Sequence, residues 1–351
     1  MMKAAVYYPG EGIRIDERPV PQPAANHLLI RVQATGICGS DMHYYKDGHI
    51  GDWWIKQPHV LGHEFAGEVA AIGADVTGFT IGERVAIEPI IPCGACSSCG
   101  AGLYNLCLNL KFTGSPHTDG AFQEYVQVRP RFAHPIPDHM PFELAALVEP
   151  TSIAVHAVRR SRLTVGDSVA VIGAGPIGLL TLAVAKASGA AHTIITDMDE
   201  ARLEMAQALG ADVVLHAAGN VEREIMAMTD DRGVDVAFEA VGLPATIETA
   251  LRVVRAGGNL TLIGVTPEKT VPFNLMLAQA KEVDIAPVYL GRDAFPAALE
   301  LLASGRVNGQ AIITHRFPLM DMATAMDTAV QRKDNAVKVI VTTTEAGLQT
   351  D

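Results

Sequence analysis

The stretch Val171-Ile172-Gly173-Ala174-Gly175-Pro176-Ile177-Gly178 closes one apolar run and opens a helical pattern. The run before it, Ser168–Ile172, reads as a buried strand, and Leu179–Ser188 after it reads as a helix. In that setting the G-x-G-x-x-G spacing predicts a dinucleotide-binding turn. Gly173 permits the tight turn, Gly175 lets the backbone approach a pyrophosphate, and Gly178 lets the helix pack against the sheet. The helix opening at Pro176 offers free N–H groups and a positive dipole end to the phosphates. The next apolar run, Thr193–Thr196, ends in Asp197. A carboxylate there accepts ribose hydroxyls and repels a 2′-phosphate, which predicts NAD rather than NADP. Arg202 follows, where it could stack over the adenine.

Outward from this turn, from about 152 to 285, short apolar runs alternate with helical patterns. Thr193–Thr196 precedes Glu200–Leu209, Val213–Leu215 precedes Val221–Met228, Val234–Glu239 precedes Ala245–Val254, and Asn259–Ile263 follows. That alternation predicts a doubly wound parallel sheet, an α/β fold. Before residue 150 the texture is β-rich, with runs such as Leu28–Val32, Glu68–Ile72 and Arg84–Ile87 and no sustained helical period. The tail carries an amphipathic helix at Ala294–Ser304, a strand-like run at Ala311–Thr314, a helix from Met320 to about Gln331 and a last strand at Ala336–Thr342.

The chain has 351 residues, a prior of about two domains. Its formal net charge is −12, which argues against a nucleic-acid or anionic-membrane partner. The uncharged run Ser168–Ala185 approaches membrane-spanning length, but the three glycines and Pro176 inside it favour strand, turn and helix. The charged start, Met1 to Glu17, lacks the apolar core of a leader. A cytoplasmic protein is expected.

Of five cysteines, Cys93, Cys96, Cys99 and Cys107 fall close together as C-x2-C-x2-C-x7-C. Such spacing suits four thiolates around one tetrahedral zinc with no open position, hence a structural site. The acidic charge and the lack of a basic helix beside the lobe count against a zinc-finger reading. The fifth, Cys38, lies in Gly36-Ile37-Cys38-Gly39-Ser40-Asp41-Met42-His43. Gly62-His63-Glu64-Phe65 and Val148-Glu149-Pro150-Thr151 come later. A thiolate, an imidazole and a carboxylate make a reasonable open zinc site, with water or substrate as the fourth ligand.

With these motifs in place, the sequence resembles the zinc-containing medium-chain dehydrogenases, and among them the polyol (sorbitol and xylitol) dehydrogenases. The resemblance rests on Cys38-Gly39-Ser40-Asp41 with His43-Tyr44, Gly48 to Asp52, Leu61 to Glu64, Glu149-Pro150, the Gly173 turn, Glu282 to Ile285 and Thr314 to Leu319. It implies a GroES-like catalytic domain at 1–151 and 289–351, with a structural-zinc lobe at 89–110 and a Rossmann domain inserted at 152–288. Cys38, His63 and Glu64 match catalytic zinc ligands, and Glu149 matches the carboxylate that holds, or alternates with, the zinc-bound water. Tyr44 matches a substrate contact, while Ser40 and His43 are candidates for a proton relay, with the zinc-bound water near Glu64 and Glu149 as a second candidate. Ile177, Asp197 and Arg202 match NAD contacts, as do Ile263-Gly264-Val265 and Val288-Tyr289-Leu290, where backbone can meet the nicotinamide carboxamide.

The implied reaction is zinc-dependent oxidation of a secondary alcohol of a polyol to the ketose, with hydride transfer to NAD. Two zinc ions per chain and a homotetramer, in some members a dimer, are implied too. The rivals are a threonine or simple secondary-alcohol dehydrogenase of the same fold, or a non-catalytic relative. One departure stands out. The family's substrate-binding Arg-Tyr pair falls on Leu290 and Gly291, with Arg292 following late. Losing a guanidinium and a phenol changes hydroxyl recognition.

Overall fold

The computed structural model describes residues 1–266 and 268–343. The chain folds into two units, one of Met1–Glu149 together with the residues from Ile313 onward, the other of Pro150–Ile312. The sequence reading placed the crossings at 152 and 289, so the return comes later than expected. The reason is local. The helix Phe295–Ala303 is followed by a turn in which Arg306 Nη2 donates to Ala187 O at 2.9 Å, which ties this segment to the end of the helix Pro176–Ala187. Residues 344–351, also expected in the first domain, lie outside the described residues.

In the second unit six parallel strands run in the order Val213–His216, His192–Asp197, Ser168–Ile172, Val234–Glu239, Val254–Leu262, Asp284–Pro287. Buried parallel strands must be apolar on both faces, and Ser168–Ile172 is buried at every position. Ile225, Ala250, Leu251 and Leu260 fill the core beside the sheet. The apolar run Ser168–Ala185 is thus a strand, a turn and a helix. No helix among the described residues is long and apolar enough to cross a membrane.

The first unit is β-rich. Its main sheet runs Ala133–Pro135, Arg84–Ile87, Glu64–Ile72, Leu28–Gly36, Lys338–Thr342, Ile313–Pro318. Leu28–Gly36 is the strand that organises the site. Gly36 pairs with Glu64 on one side and with Ile340 on the other. Tyr125–Val128 lies along the earlier part of the same strand. One nine-residue helix, Gly39–Asp47, interrupts the β texture where no helical period was expected.

Candidate active site

The candidate metal cluster is built by strand register. Glu64, Gly36 and Ile340 stand side by side on three adjacent strands, so Cys38, just beyond Gly36, and Lys338, two residues before Ile340, arrive at the same place. Gly36 has to be glycine. A Cβ there would lie 2.2 Å from Glu64 Oε2, so only a bare backbone lets the carboxylate lie across it. Beyond it, Lys338 Nζ donates to Glu64 Oε1 at 2.9 Å, to Glu64 Oε2 at 2.7 Å and to Ile37 O at 3.1 Å. Both side chains are withdrawn from solvent, at 2% and 1% exposure.

Cys38 is the N-cap of the helix Gly39–Asp47, and Asp41 reaches back to it. Asp41 Oδ2 accepts from Cys38 N at 3.0 Å, while Oδ1 accepts from Gly62 N at 3.1 Å and stands 3.6 Å from His63 Nδ1. This buried carboxylate is the kind of outer partner that fixes the orientation of a metal-ligating imidazole. Burial disfavours the imidazolium of His63, but the Asp41 carboxylate and the Cys38 sulfur more than offset it and hold its pKa well above the usual value. The ligand atoms of Cys38, His63 and Glu64 all lie within 4.8 Å of one another. A thiolate, an imidazole and a carboxylate at that spacing fit a zinc ion with one position left open.

Glu149 is not one of that three-residue group. It is buried in the first turn of the helix Val148–Ser161. Burial and then the carboxylates of Glu64 and Glu88 push its pKa up to about 7, against the opposing charges of His63 and Lys338. Ser40 is half-buried on the helix Gly39–Asp47. One turn further, His43 Nδ1 stands 3.4 Å from Asp47 Oδ2. Tyr44 is buried in the apolar cluster that contains Tyr7, Ile55 and Met326.

Two members of this cluster escaped the sequence reading. Asp41 had a signal, because an acidic residue three places after an N-cap is a capping pattern. Lys338 had one too: a lone charge in the otherwise uncharged, largely apolar run Ala336–Thr342.

The four-cysteine lobe comes together as its spacing predicts. The sulfurs of Cys93, Cys96, Cys99 and Cys107 lie within 4.8 Å of one another, and all five cysteines of the chain are unbridged. Backbone amides point at the sulfurs: Cys93 N and Asn109 N donate to Cys107 Sγ at 3.2 and 3.4 Å. The amides of Ala95 and Cys96 hold the Cys93 thiol down to about 6. Gly94 takes a φ of +76°, which turns the chain between the first two cysteines. Cys96 is lowered in the same way, while burial pushes the Cys99 thiol up to about 12, and four sulfurs gathered at this spacing suit a tetrahedral zinc.

The dinucleotide turn sits in the second unit at the C-terminal ends of the parallel strands. Gly173 has a φ of +104°, and its N–H donates to Thr196 O at 2.8 Å. At Gly178 a Cβ would lie 1.8 Å from Gly173 O, so the helix can cross the turn only without a side chain. Gly175, the N-cap before Pro176 and Ile177, has no heavy atom within 4 Å of its would-be Cβ. That open approach beside free helix amides fits a pyrophosphate.

Asp197 ends its strand with Oδ2 accepting from Ala174 N at 2.7 Å and Oδ1 accepting from Asp199 N at 3.0 Å. Arg202 Nε stands 3.8 Å from Asp199 Oδ2, so it is drawn toward that carboxylate. Ile263 N and Gly264 N both donate to Glu239 O, at 2.8 and 3.0 Å, and Val265 is exposed. Val288 N donates to Leu262 O at 2.9 Å, and Tyr289 is half-exposed. Leu290 adopts a left-handed φ of +55°. Gly291 packs so closely that a Cβ would lie 2.7 Å from Ser152 Oγ.

Comparison with known proteins gives the family. Residues 24–138 match the alcohol dehydrogenase GroES-like domain, and residues 176–304 match the zinc-binding dehydrogenase family. Sorbitol dehydrogenase of Bacillus subtilis (strain 168) is 42% identical over 341 residues, which cover 97% of each chain. L-idonate 5-dehydrogenase of Vitis vinifera is 38% identical, covering 93% of this chain and 91% of its own. A Sinorhizobium meliloti 1021 protein solved with NADP bound superposes with a TM-score of 0.90 at 31% identity, covering 97% of this chain and 99% of its own. With both halves matched and such relatives along nearly its whole length, the chain belongs to the zinc-containing medium-chain dehydrogenases, in their polyol subfamily.

Proposed function

We propose that this dehydrogenase oxidises a secondary alcohol of a polyol, such as sorbitol, xylitol or a related alditol, to the ketose, with NAD as hydride acceptor. The observation that carries the reading is the meeting of Cys38, His63 and Glu64 within 4.8 Å, with the buried Glu149 carboxyl acting on His63 and Glu64. A zinc ion held by that trio supplies Lewis acidity toward an alcohol oxygen, and a bound nicotinamide supplies the place for the hydride. Asp41 fixes the His63 ring and Lys338 fixes Glu64. Glu149, buried among these charges, is placed to hold a proton. Ser40 and His43, one helical turn apart, form the relay by which a proton reaches water. The four-cysteine lobe holds a second, structural zinc.

NAD is favoured because the Asp197 carboxylate ends its strand at the position read as facing the ribose, where it would repel a 2′-phosphate, and because Arg202 is drawn toward Asp199. A 2′-phosphate there would meet repulsion with no unengaged guanidinium to offset it. The assembly is a homotetramer working in the cytoplasm. The edge position of the strand Asp284–Pro287, with Ile285 exposed, supports self-association.

A second reading, oxidation of a short diol or simple secondary alcohol, is favoured by one observation. Leu290 and Gly291 offer neither guanidinium nor phenol, and Gly291 rests against Ser152, which leaves no room for a side chain. A panel of alditols, amino acids and simple alcohols, each with NAD and with NADP and followed by reduced-nicotinamide absorbance, decides between them. Turnover of alditols with NAD is expected. Activity confined to short alcohols, or to NADP, overturns the first reading.

A further inference from the structure

Glu239 is the last residue of the strand Val234–Glu239 and is 1% exposed. Its Oε1 accepts three bonds, from Val241 N at 2.9 Å, Gly242 N at 2.8 Å and Thr246 Oγ1 at 2.7 Å. One carboxylate oxygen thus ties the turn 240–243 to the first turn of the helix Pro244–Val253. Its Oε2 is buried and has no hydrogen-bond partner among the described residues. A buried carboxylate oxygen that no neighbouring protein group satisfies is costly, so its placement calls for a reason beyond capping one helix.

The surroundings supply one. The braced turn touches two cofactor segments at once. A Cβ on Gly173, the first glycine of the dinucleotide turn, would lie 2.5 Å from Val241 Cγ2. On the other side, a Cβ on Gly242 would lie 2.4 Å from Val265 O, and one on Gly264 would lie 2.6 Å from Glu239 Oε2. The Glu239 backbone joins the same arrangement, since its carbonyl accepts from Ile263 N and Gly264 N, and Ala240 N donates to Ile172 O at 2.9 Å. Three strand ends therefore converge on this residue: the one entering Gly173, its own, and the one leading to Ile263-Gly264-Val265. The packing is too close for any of them to shift alone.

We infer that Glu239 is a positioning residue for the nicotinamide half of the cofactor. By clamping the turn 240–243 it sets the backbone of residues 263–265, where the carboxamide is read, against Gly173, where the pyrophosphate turn begins. The inference rests on the cofactor reading of Ile263, Gly264 and Val265 given above. The carboxylate charge strengthens all three bonds to Oε1. Replacing it with a neutral amide loosens the clamp while preserving its shape.

The test compares two ligands of one site, NADH and ADP-ribose, which lacks the nicotinamide. For the whole enzyme and its Glu239→Gln variant, Kd is measured for NADH by fluorescence and for ADP-ribose by calorimetry. The variant is expected to bind NADH about tenfold more weakly, a shift of roughly 1.4 kcal/mol, and ADP-ribose within about twofold of wild type. Unchanged NADH binding overturns the inference. So does an equal loss for both ligands, which would mean Glu239 merely stabilises the unit. Should Glu239→Gln fail to fold, Thr246→Val removes one of the three donors and is read the same way. Asp197→Ser is the control, acting on the adenine half. If it leaves both affinities unmoved, the cofactor reading itself falls and takes this inference with it.

Discussion

Lys338 donates to both carboxylate oxygens of Glu64 across the bare backbone of Gly36, and neither charge is exposed to water. A buried pair of this kind costs desolvation that only its mutual attraction offsets, so removing one partner strands the other. Lys338→Met is therefore expected to destabilise the metal-free protein by about 3–5 kcal/mol. Zinc bound by Cys38, His63 and Glu64 would supply the missing positive charge, so the penalty should shrink when zinc is present. Urea unfolding with and without chelator measures both. A penalty that zinc does not change would separate Lys338 from the metal cluster.

How much of this was legible in the sequence depended on whether each feature leaves a local mark. The parallel strands did, because burial on both faces forces continuous apolar runs such as Ser168–Ile172. The cysteine lobe did, through spacing alone. The helix Gly39–Asp47 did not, since Gly-Ser-Asp-Met-His-Tyr-Tyr-Lys-Asp carries no apolar stripe and is held by its cap and by packing of Tyr44. The destination of the helix Phe295–Ala303 was hidden for a different reason. An amphipathic face shows that a helix packs, but not against which unit. The Lys338–Glu64 pair joins residues 274 positions apart, and no local pattern reports a partner at such a distance.

The two metal clusters predict different losses. Cys38→Ser removes a ligand of the open cluster. It should leave one zinc per chain where wild type holds two, abolish turnover and leave NADH binding intact. Cys96→Ser should also leave one zinc, lower thermal stability and keep the catalytic cluster chemically complete. Elemental analysis beside an NADH titration distinguishes them. A wild-type content of one zinc would mean that one cluster is misassigned.

Cofactor preference turns on Asp197. Its Oδ2 accepts from Ala174 N and steadies the glycine turn, and in the proposed NAD site the same carboxylate would read the ribose. Asp197→Ser combined with Met198→Arg exchanges a repelling carboxylate for a guanidinium beside the exposed 198 position. The ratio of kcat/KM for NADP to that for NAD should rise by roughly one to two orders of magnitude. Absolute activity with NAD should fall because the turn loses its acceptor. A wild type that already prefers NADP would refute the argument at its root.

His156 ties stability to pH. It lies buried in the helix Val148–Ser161, and its pKa is pushed down to about 4. Burial contributes most, followed by the guanidiniums of Arg292, Arg160 and Arg159, while Asp293 pulls the other way. In the unfolded chain the imidazole titrates near its ordinary value of 6.5. Between those two values the unfolded state binds the extra proton, so stability rises with pH. The contribution is complete above pH 6.5 and drains away as pH falls toward 4. Unfolding free energy measured from pH 7.5 to 4.5 should therefore slope downward in wild type and less steeply in His156→Gln. The gap between the two proteins should narrow as the solution is acidified. A gap that stays constant across that range would show that some other group titrates.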